Sequence, residues 1–364
     1  MAILNEKIKG FTTIVAVDIS KNSFQVCVAR VDGEGKPKQY KYSRAKFHDG
    51  VIKLGTEGTL IVMEACASSH HWGRVFQKDG FAVKLIAPQH TKKYLKNARM
   101  KNDANDAEAI FTCAIQHNTK FIKVKTNEES AAGMLQTTRQ GFSKVRTEIS
   151  NRMRGCAGEF GIAVAQGDKG IQELLEIIDS EEMLVSYEIP ESGKFSLREL
   201  SKSYRETTEK LKELNKSIEQ TAKESKSAKK LMEIPGIGPI IANAIVTKIS
   251  NGEEFDNGRQ VAAYIGLAPS QNSTGGRNNL GSVSKTGDKH LRALLVQGAQ
   301  SVVRFAHYNV SNGKDDQLSK FAVRLLDSGK HRNKVVVAVA AKMIRIAWAV
   351  LRHDTNYHPV TTAA

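Results

Sequence analysis

At 364 residues the chain is longer than one compact core usually grows, so two or three domains are expected. A hydrophobic content of 40% with 25% charged residues excludes a disordered polyelectrolyte, and without an apolar run long enough to span a bilayer or a basic-then-apolar leader, a cytoplasmic protein with no membrane partner is expected. Lys and Arg number 54 against 38 acids, a net charge of +16 that points to a phosphate-rich partner, while Cys27, Cys66, Cys113 and Cys156 contain no C-x-x-C pair for a zinc ribbon.

The first strand is expected at residues 13–18, a short apolar run closed by Asp18, and the second at 23–29, where Phe24, Val26 and Val28 alternate. Residues 31–35 supply a hairpin signal ahead of a third strand at 38–43. A helix near 46–54, a strand at 59–64, a helix near 71–79 and a strand at 82–87 follow. Three hairpin-connected strands and then strands alternating with helices give the element order of an RNase H-like (RuvC-like) α/β domain.

From residue 103 the pattern is helical. A helix near 128–157 carries Phe142, Val145, Ile149 and Met153 at spacings of three and four. Leu197, Tyr204, Leu211 and Ile218 fit one seam of a heptad, and Leu200, Thr207, Leu214 and Thr221 the other. A short coiled coil and packing against the chain's own helices both satisfy that spacing; breaks are expected at 161–169 and 189–194. Residues 232–246 read as an apolar helix end, a Pro235-Gly-Ile-Gly238 turn and a second apolar helix. This is a helix-hairpin-helix pattern if Gly236 and Gly238 let backbone amides approach a phosphate, and an ordinary helical turn otherwise. A polar loop at 270–288 and helices near 289–306, 316–328 and 333–352 complete the chain. The domains expected are 1–160, RNase H-like; 161–228, a helical or coiled-coil middle; and 229–364, a helical C-terminal domain.

Four acids hold chemically useful places in this layout. Asp18 ends the first strand, Glu64 ends the fourth, and Asp103 and Asp106, three apart, share one helix face. Hard divalent cations such as magnesium take oxygen ligands, and a pair of them can clamp the attacking and leaving oxygens of a phosphodiester displacement. Each acid alone also serves as a cap or turn residue, whereas four in this order are hard to obtain by chance. Just upstream, Lys92, Lys93, Lys96, Arg99 and Lys101 form a basic run suited to phosphate, or a solvated helix face.

Val17-Asp-Ile-Ser-Lys21, Met63-Glu-Ala-Cys-Ala-Ser-Ser-His70, Asn102-Asp-Ala-Asn-Asp-Ala107, Ile234-Pro-Gly-Ile-Gly238, Gly266-Leu-Ala-Pro-Ser-Gln271, Ser273-Thr-Gly-Gly276 and Val283-Ser-Lys-Thr-Gly-Asp288 follow one another along the chain. Together they closely resemble the DEDD insertion-sequence transposases, the bridge-RNA-guided recombinases related to the Piv DNA invertase, and most of all the branch with short terminal inverted repeats. The resemblance implies that Asp18, Glu64, Asp103 and Asp106 bind magnesium. It also implies that a C-terminal serine attacks DNA to give a phosphoserine intermediate, and that a structured bridge RNA from the element pairs with donor and target DNA. A homo-oligomer, dimer or tetramer, is expected.

Ser273 keeps the family's distance to Ser284-Lys285 and is the serine chosen, while the spacing from Pro269 would select Thr274. Arg277 and Lys285, beside it, are taken as phosphate contacts. Two other readings remain open at this point: a nuclease using the same acids with water, and a DNA-binding protein whose acids are only caps and turns.

Overall fold

The computed structural model describes residues 5–94, 103–271, 280–313 and 316–358. It divides into two compact units, Met1–Ser130 and Ala131–Ala364.

The first unit is built on strands β1 (Thr13–Ile19), β2 (Ser23–Arg30), β3 (Lys38–Ser43), β4 (Thr59–Glu64), β5 (Ala82–Ile86) and β6 (Phe121–Ile122), in the sheet order β3-β2-β1-β4-β5-β6. β2 runs antiparallel to β1 and β3, β4 is parallel to β1 and β5, and β6 closes the far edge antiparallel to β5. The result is a mixed α/β unit compatible with the RNase H-like order expected from the sequence.

Its helices are α1 (Phe47–Leu54), α2 (Ser69–Lys78), α3 (Pro88–Thr91) and α4 (Asp103–Ile115). β1 and β4 are covered on both faces, as central parallel strands usually are, hence their unbroken apolar runs. Val15, Val17, Ile61 and Met63 pack with Phe47 of α1 and Trp72 and Phe76 of α2, while Ile14, Ala16, Leu60 and Val62 pack with Ala107, Ile110 and Phe111 of α4. The uniformly helical character expected after residue 103 is interrupted by β6, whose two residues are too few to show a period.

Helix α5 (Asn127–Gly158) carries the chain across the boundary between the units, and α6 (Asp168–Asp179), α7 (Glu181–Ser186), α8 (Glu191–Glu224), α9 (Lys226–Met232), α10 (Pro239–Ile249) and α11 (Gly258–Tyr264) follow. Leu197, Tyr204, Leu211 and Ile218 of α8 are all buried. Arg146 of α5 lies over the Tyr204 ring at 5.7 Å, Lys210 lies over Phe142 at 5.8 Å, and the Arg139 guanidinium donates to Asn215 at 2.6 Å, so the two helices run antiparallel. Of the two arrangements that the heptad spacing allowed, this seam adopts packing against the chain's own helices. Thr207 fits inside because its hydroxyl donates to the Ser203 carbonyl at 2.7 Å.

The polar stretch expected as a loop at 270–288 contains a short antiparallel hairpin, β7 (Pro269–Gln271) and β8 (Leu280–Val283). Beyond it α12 (Lys289–Ser311), α13 (Gln317–Asp327) and α14 (Arg332–His353) lie where their apolar periodicity puts them, and their buried faces join those of α9, α10 and α11 in the largest core cluster. Gly236, in the α9–α10 turn at φ +82°, faces Gly298 of α12. A Cβ added at Gly298 would lie 2.2 Å from the Gly236 carbonyl oxygen.

Two glycines are needed because two backbones touch. Gly298→Ala is therefore expected to lower stability by about 1–3 kcal/mol, the usual cost of overpacking. Urea unfolding measures it, and a midpoint equal to that of the parent would show that α12 shifts freely.

Candidate functional site

Parallel pairing brings two of the four acids together. β1 and β4 are registered Val17 to Met63, so the next residues, Asp18 one short of the end of β1 and Glu64 at the end of β4, fall side by side. Alternation places Asp18 on the face of Ile14 and Ala16, and Glu64 on the face of Leu60 and Val62; this is the face that α4 covers. α4 begins at Asp103 and carries Asp106 one turn further on. Asp18, Glu64 and Asp106 are each half-buried, and the site lies at the carboxyl ends of the parallel strands, where open α/β sheets bind ligands.

The electrostatics mark the same neighbourhood. Burial, and then the charges of Glu64 and Asp18, push the Cys66 thiol up to about 11. Burial followed by the charge of Glu108 does the same to Cys27. The buried Thr91, at the end of α3, donates its hydroxyl to Glu64 Oε2, a contact that fixes the carboxylate and that no sequence pattern announces.

An all-carboxylate donor set suits a hard divalent cation. Among the described residues, no three His, Cys, Asp or Glu side chains are gathered closely enough to hold one. The side chain of Asp103 lies outside the described residues. The structure thus brings Asp18 and Glu64 onto adjacent strand ends and Asp106 onto the facing helix, without closing a ligand set. The chemistry of the donors fits the group that the sequence implies.

The residues after Glu64 form a rigid turn. The Ala65 amide donates to the Ile86 carbonyl at 2.8 Å, Ser69 Oγ donates to the Cys66 carbonyl at 2.9 Å, and Ser68 adopts the left-handed conformation at φ +69°. At the start of α2, His70 Nδ1 accepts the Lys125 amide at 3.1 Å, and one turn on, Arg74 donates to the Lys125 carbonyl at 2.7 Å. Burial, aided by the charges of Lys125 and Arg74, pushes the His70 imidazole down to about 4. The Cys-Ala-Ser-Ser-His motif stood out in the sequence only through its family resemblance, and neither this turn nor the partner of His70 was legible.

Lys92 and Lys93 are exposed in the turn that follows Thr91. Lys96, Arg99 and Lys101 lie outside the described residues, as do Ser273, Thr274 and Arg277.

What is described of the last loop is its base. Ser284 N–H donates to the Ala268 carbonyl at 2.9 Å, and Arg292 donates to the carbonyls of Ile265 and Thr286 at 2.8 and 2.9 Å. A Cβ on Gly287 would lie 1.9 Å from the Tyr264 carbonyl oxygen, so the Ser-Lys-Thr-Gly-Asp motif docks through its backbone. Lys285 is exposed and left-handed, φ +55°. At the other glycine turn, the open side of Gly236 is occupied by α12 and α14, whereas a Cβ on Gly238 would meet nothing within 4 Å. The positive φ of the turn and close packing against α12 and α14 both favour a glycine at 236.

A family model described as "Transposase" and labelled for DEDD and IS110 matches residues 15–160, and one described as the IS116/IS110/IS902 transposase family matches residues 228–313. The chain is 36% identical over 347 residues to a "Probable family 20 transposase" of Pseudomonas aeruginosa, covering 95% of this chain and 98% of that protein. It is 33% identical over 345 residues to the transposase for insertion sequence element IS1111A of Coxiella burnetii, covering 94% and 91%. Over 131 residues, 36% of this chain and 38% of the other, it is 29% identical to a pilin gene-inverting protein of Moraxella bovis.

The His70 contact has a pH signature. Its folded value, about 4, lies below the ordinary 6.5, so the native state holds fewer protons. The stability it contributes is full above pH 6.5 and is lost as the pH falls toward 4. Allowing for solvent screening of a half-buried ring, a loss of about 1 kcal/mol is expected between pH 7 and pH 5. Denaturant midpoints for the parent and His70→Asn check this, because the variant lacks the titration; equal losses in both would remove His70 from the account.

Proposed function

We propose, from the premise that the chain belongs to the IS116/IS110/IS902 family of insertion-sequence transposases and is a DNA strand transferase, that it transfers phosphoryl groups at the sheet edge shared by Asp18 and Glu64. The observation that carries this is the Val17–Met63 register, which supports side-by-side use of the two carboxylates beneath the helix of Asp103 and Asp106. The family implies a divalent metal, usually magnesium, which would polarise the phosphodiester and offset charge in the transition state. Thr91 holds the Glu64 carboxylate by its hydroxyl, and Cys66, kept a neutral thiol, adds no further negative charge. Lys92 and Lys93 flank Thr91 with cations for the DNA backbone, and Lys96, Arg99 and Lys101 continue that run in sequence.

The identity of the nucleophile is the finer part of the proposal. A carboxylate-metal site commonly directs a water or sugar hydroxyl in-line, so a DEDD tetrad sits awkwardly with a serine-recombinase label. A covalent step would have Ser273 Oγ attack phosphorus, the P–O bond to the leaving strand break, and the serine proton pass to a base; a DNA hydroxyl would then displace the serine. That step is supported by the loop's resemblance alone. Guidance by a bridge RNA and assembly as a dimer or tetramer are proposed on the same ground, and Gly238, Arg277 and Lys285 are proposed as phosphate contacts in the second unit.

Asp18→Asn, Glu64→Gln, Asp103→Asn and Asp106→Asn should each abolish cleavage of element-end DNA while leaving DNA binding intact. Thr91→Val should reduce cleavage roughly tenfold, the effect of losing about 1.4 kcal/mol of positioning. Full cleavage in EDTA, or in two of the acid variants, would end the carboxylate assignment.

Ser273→Ala separates the nucleophiles. Retained cleavage without a protein-DNA adduct indicates water or a DNA hydroxyl, and loss of both cleavage and adduct, with Thr274→Ala still active, indicates Ser273. Running each assay with and without the element's flanking noncoding RNA tests the RNA requirement.

A further inference from the structure

We propose that a groove between α11, α13 and α14 in the second unit binds the sugar-phosphate backbone of a nucleic acid strand. The proposal rests on the reading of the chain as a transposase and concerns a surface built from residues other than the carboxylates and the hairpin loop. The groove encloses about 710 Å³. Four cations line it, Arg259 on α11, Arg324 on α13 and Lys342 and Arg345 on α14, and no acid does. None of the four has an ion-pair partner among the described residues, although surface cations elsewhere in the unit do, such as Lys230 with Asp354, Lys248 with Asp288 and Arg352 with Glu253.

The fold holds these like charges together. Lys342 and Arg345 are three residues apart on one face of α14. Gly258, buried at the start of α11, is so close to that face that an added Cβ would lie 3.1 Å from the Arg345 backbone, and this approach sets Arg259 beside the same wall. Phe321 sits between two cations, with Lys342 Nζ 4.5 Å and the Arg324 guanidinium 5.5 Å from its ring centre.

The carboxylate whose charge acts on Lys342 is already engaged. Asp316 caps α13 by accepting from the Leu318 and Ser319 amides at 3.0 Å each, and it also accepts from the Ser319 and Tyr357 hydroxyls. Burial, then repulsion by Arg324 and Arg345, holds Lys342 below the usual lysine range. Charge of one sign, concentrated in a concave and partly apolar site, is matched by a chain of phosphates with a spacing between charges. Both duplex DNA and single-stranded RNA have that chemistry, so the test carries an arm for each.

Binding of a labelled DNA duplex and a labelled single-stranded RNA is measured by anisotropy over a series of salt concentrations. Each lost phosphate contact lowers the slope of log affinity against log salt by about 0.9 on duplex and about 0.7 on a single strand. R324Q/K342Q/R345Q should therefore reduce the slope by about 2.7 on duplex DNA, or by about 2.1 on RNA. K202Q/K216Q/K223Q, which removes the same charge from exposed positions of α8, should reduce it far less. R324Q/R345Q changes only exposed side chains and guards against misfolding; about two-thirds of the loss is expected.

A drop on the duplex alone assigns the groove to DNA, on RNA alone to RNA, and on both to a shared backbone site. Equal slopes for the groove and α8 variants on both probes would overturn the proposal. The slope is read without cleavage, so a parent protein that fails to cut DNA would count against the transfer site and leave this result standing.

Discussion

Parallel pairing of β1 with β4 is the constraint on which the first unit depends. Side chains alternate strictly along a strand, so a slip of one residue would turn Asp18 or Glu64 to the opposite face. That slip would also take Ala16 or Val62 out of the layer packed on α4. The apolar residues that set the register therefore set the positions of the two acids. The same core term that stabilises the sheet keeps both carboxylates at its edge, with no separate interaction needed to aim them.

Much of this was legible in the order of residues. β1, β2, β4 and β5 begin and end close to their apolar runs, and Asp18 and Glu64 stand out because each closes such a run. Partners were less legible. Thr91 on Glu64 and His70 on the Lys125 amide depend on segments brought together by tertiary structure, and hydrophobic periodicity carries no information about them. β6 and the β7–β8 hairpin are too short or too polar to leave a pattern. The heptad on α8 announced a buried stripe correctly, but a stripe does not say which helices cover it, and here α5, α6 and α10 share it. Ser273 carries no physical signal of its own; its place came from resemblance.

Charge is organised differently in the two units. In the first, cations and carboxylates lie near one another, with Lys92 and Lys93 directly after the threonine that holds Glu64. In the second, the groove of Arg259, Arg324, Lys342 and Arg345 has no counter-charge in its lining. A protein with an excess of positive charge can spread it for solubility, or concentrate it where a polyanion lies. The groove concentrates it at some electrostatic cost, while the cations of Lys230, Lys248 and Arg352 in the same unit are paired with acids.

The meeting of Gly236 with Gly298 bears on the order in which the second unit is made. The turn between α9 and α10 is completed by the backbone of Gly298, which lies beyond α10 and α11 in sequence, and Val302 and Met343 press on the same glycine. The Ile237 amide closes the turn locally on the Ile234 carbonyl at 3.0 Å, but the cover of that turn is a helix that leaves the ribosome afterwards. α9 and α10 therefore emerge with an apolar flank uncovered and gain their partner only when α12 and α14 arrive. During synthesis, the largest core of the protein is assembled last and from its far end, while the sheet of the first unit, whose strands and covering helices all lie within the first 130 residues, can be complete well before it.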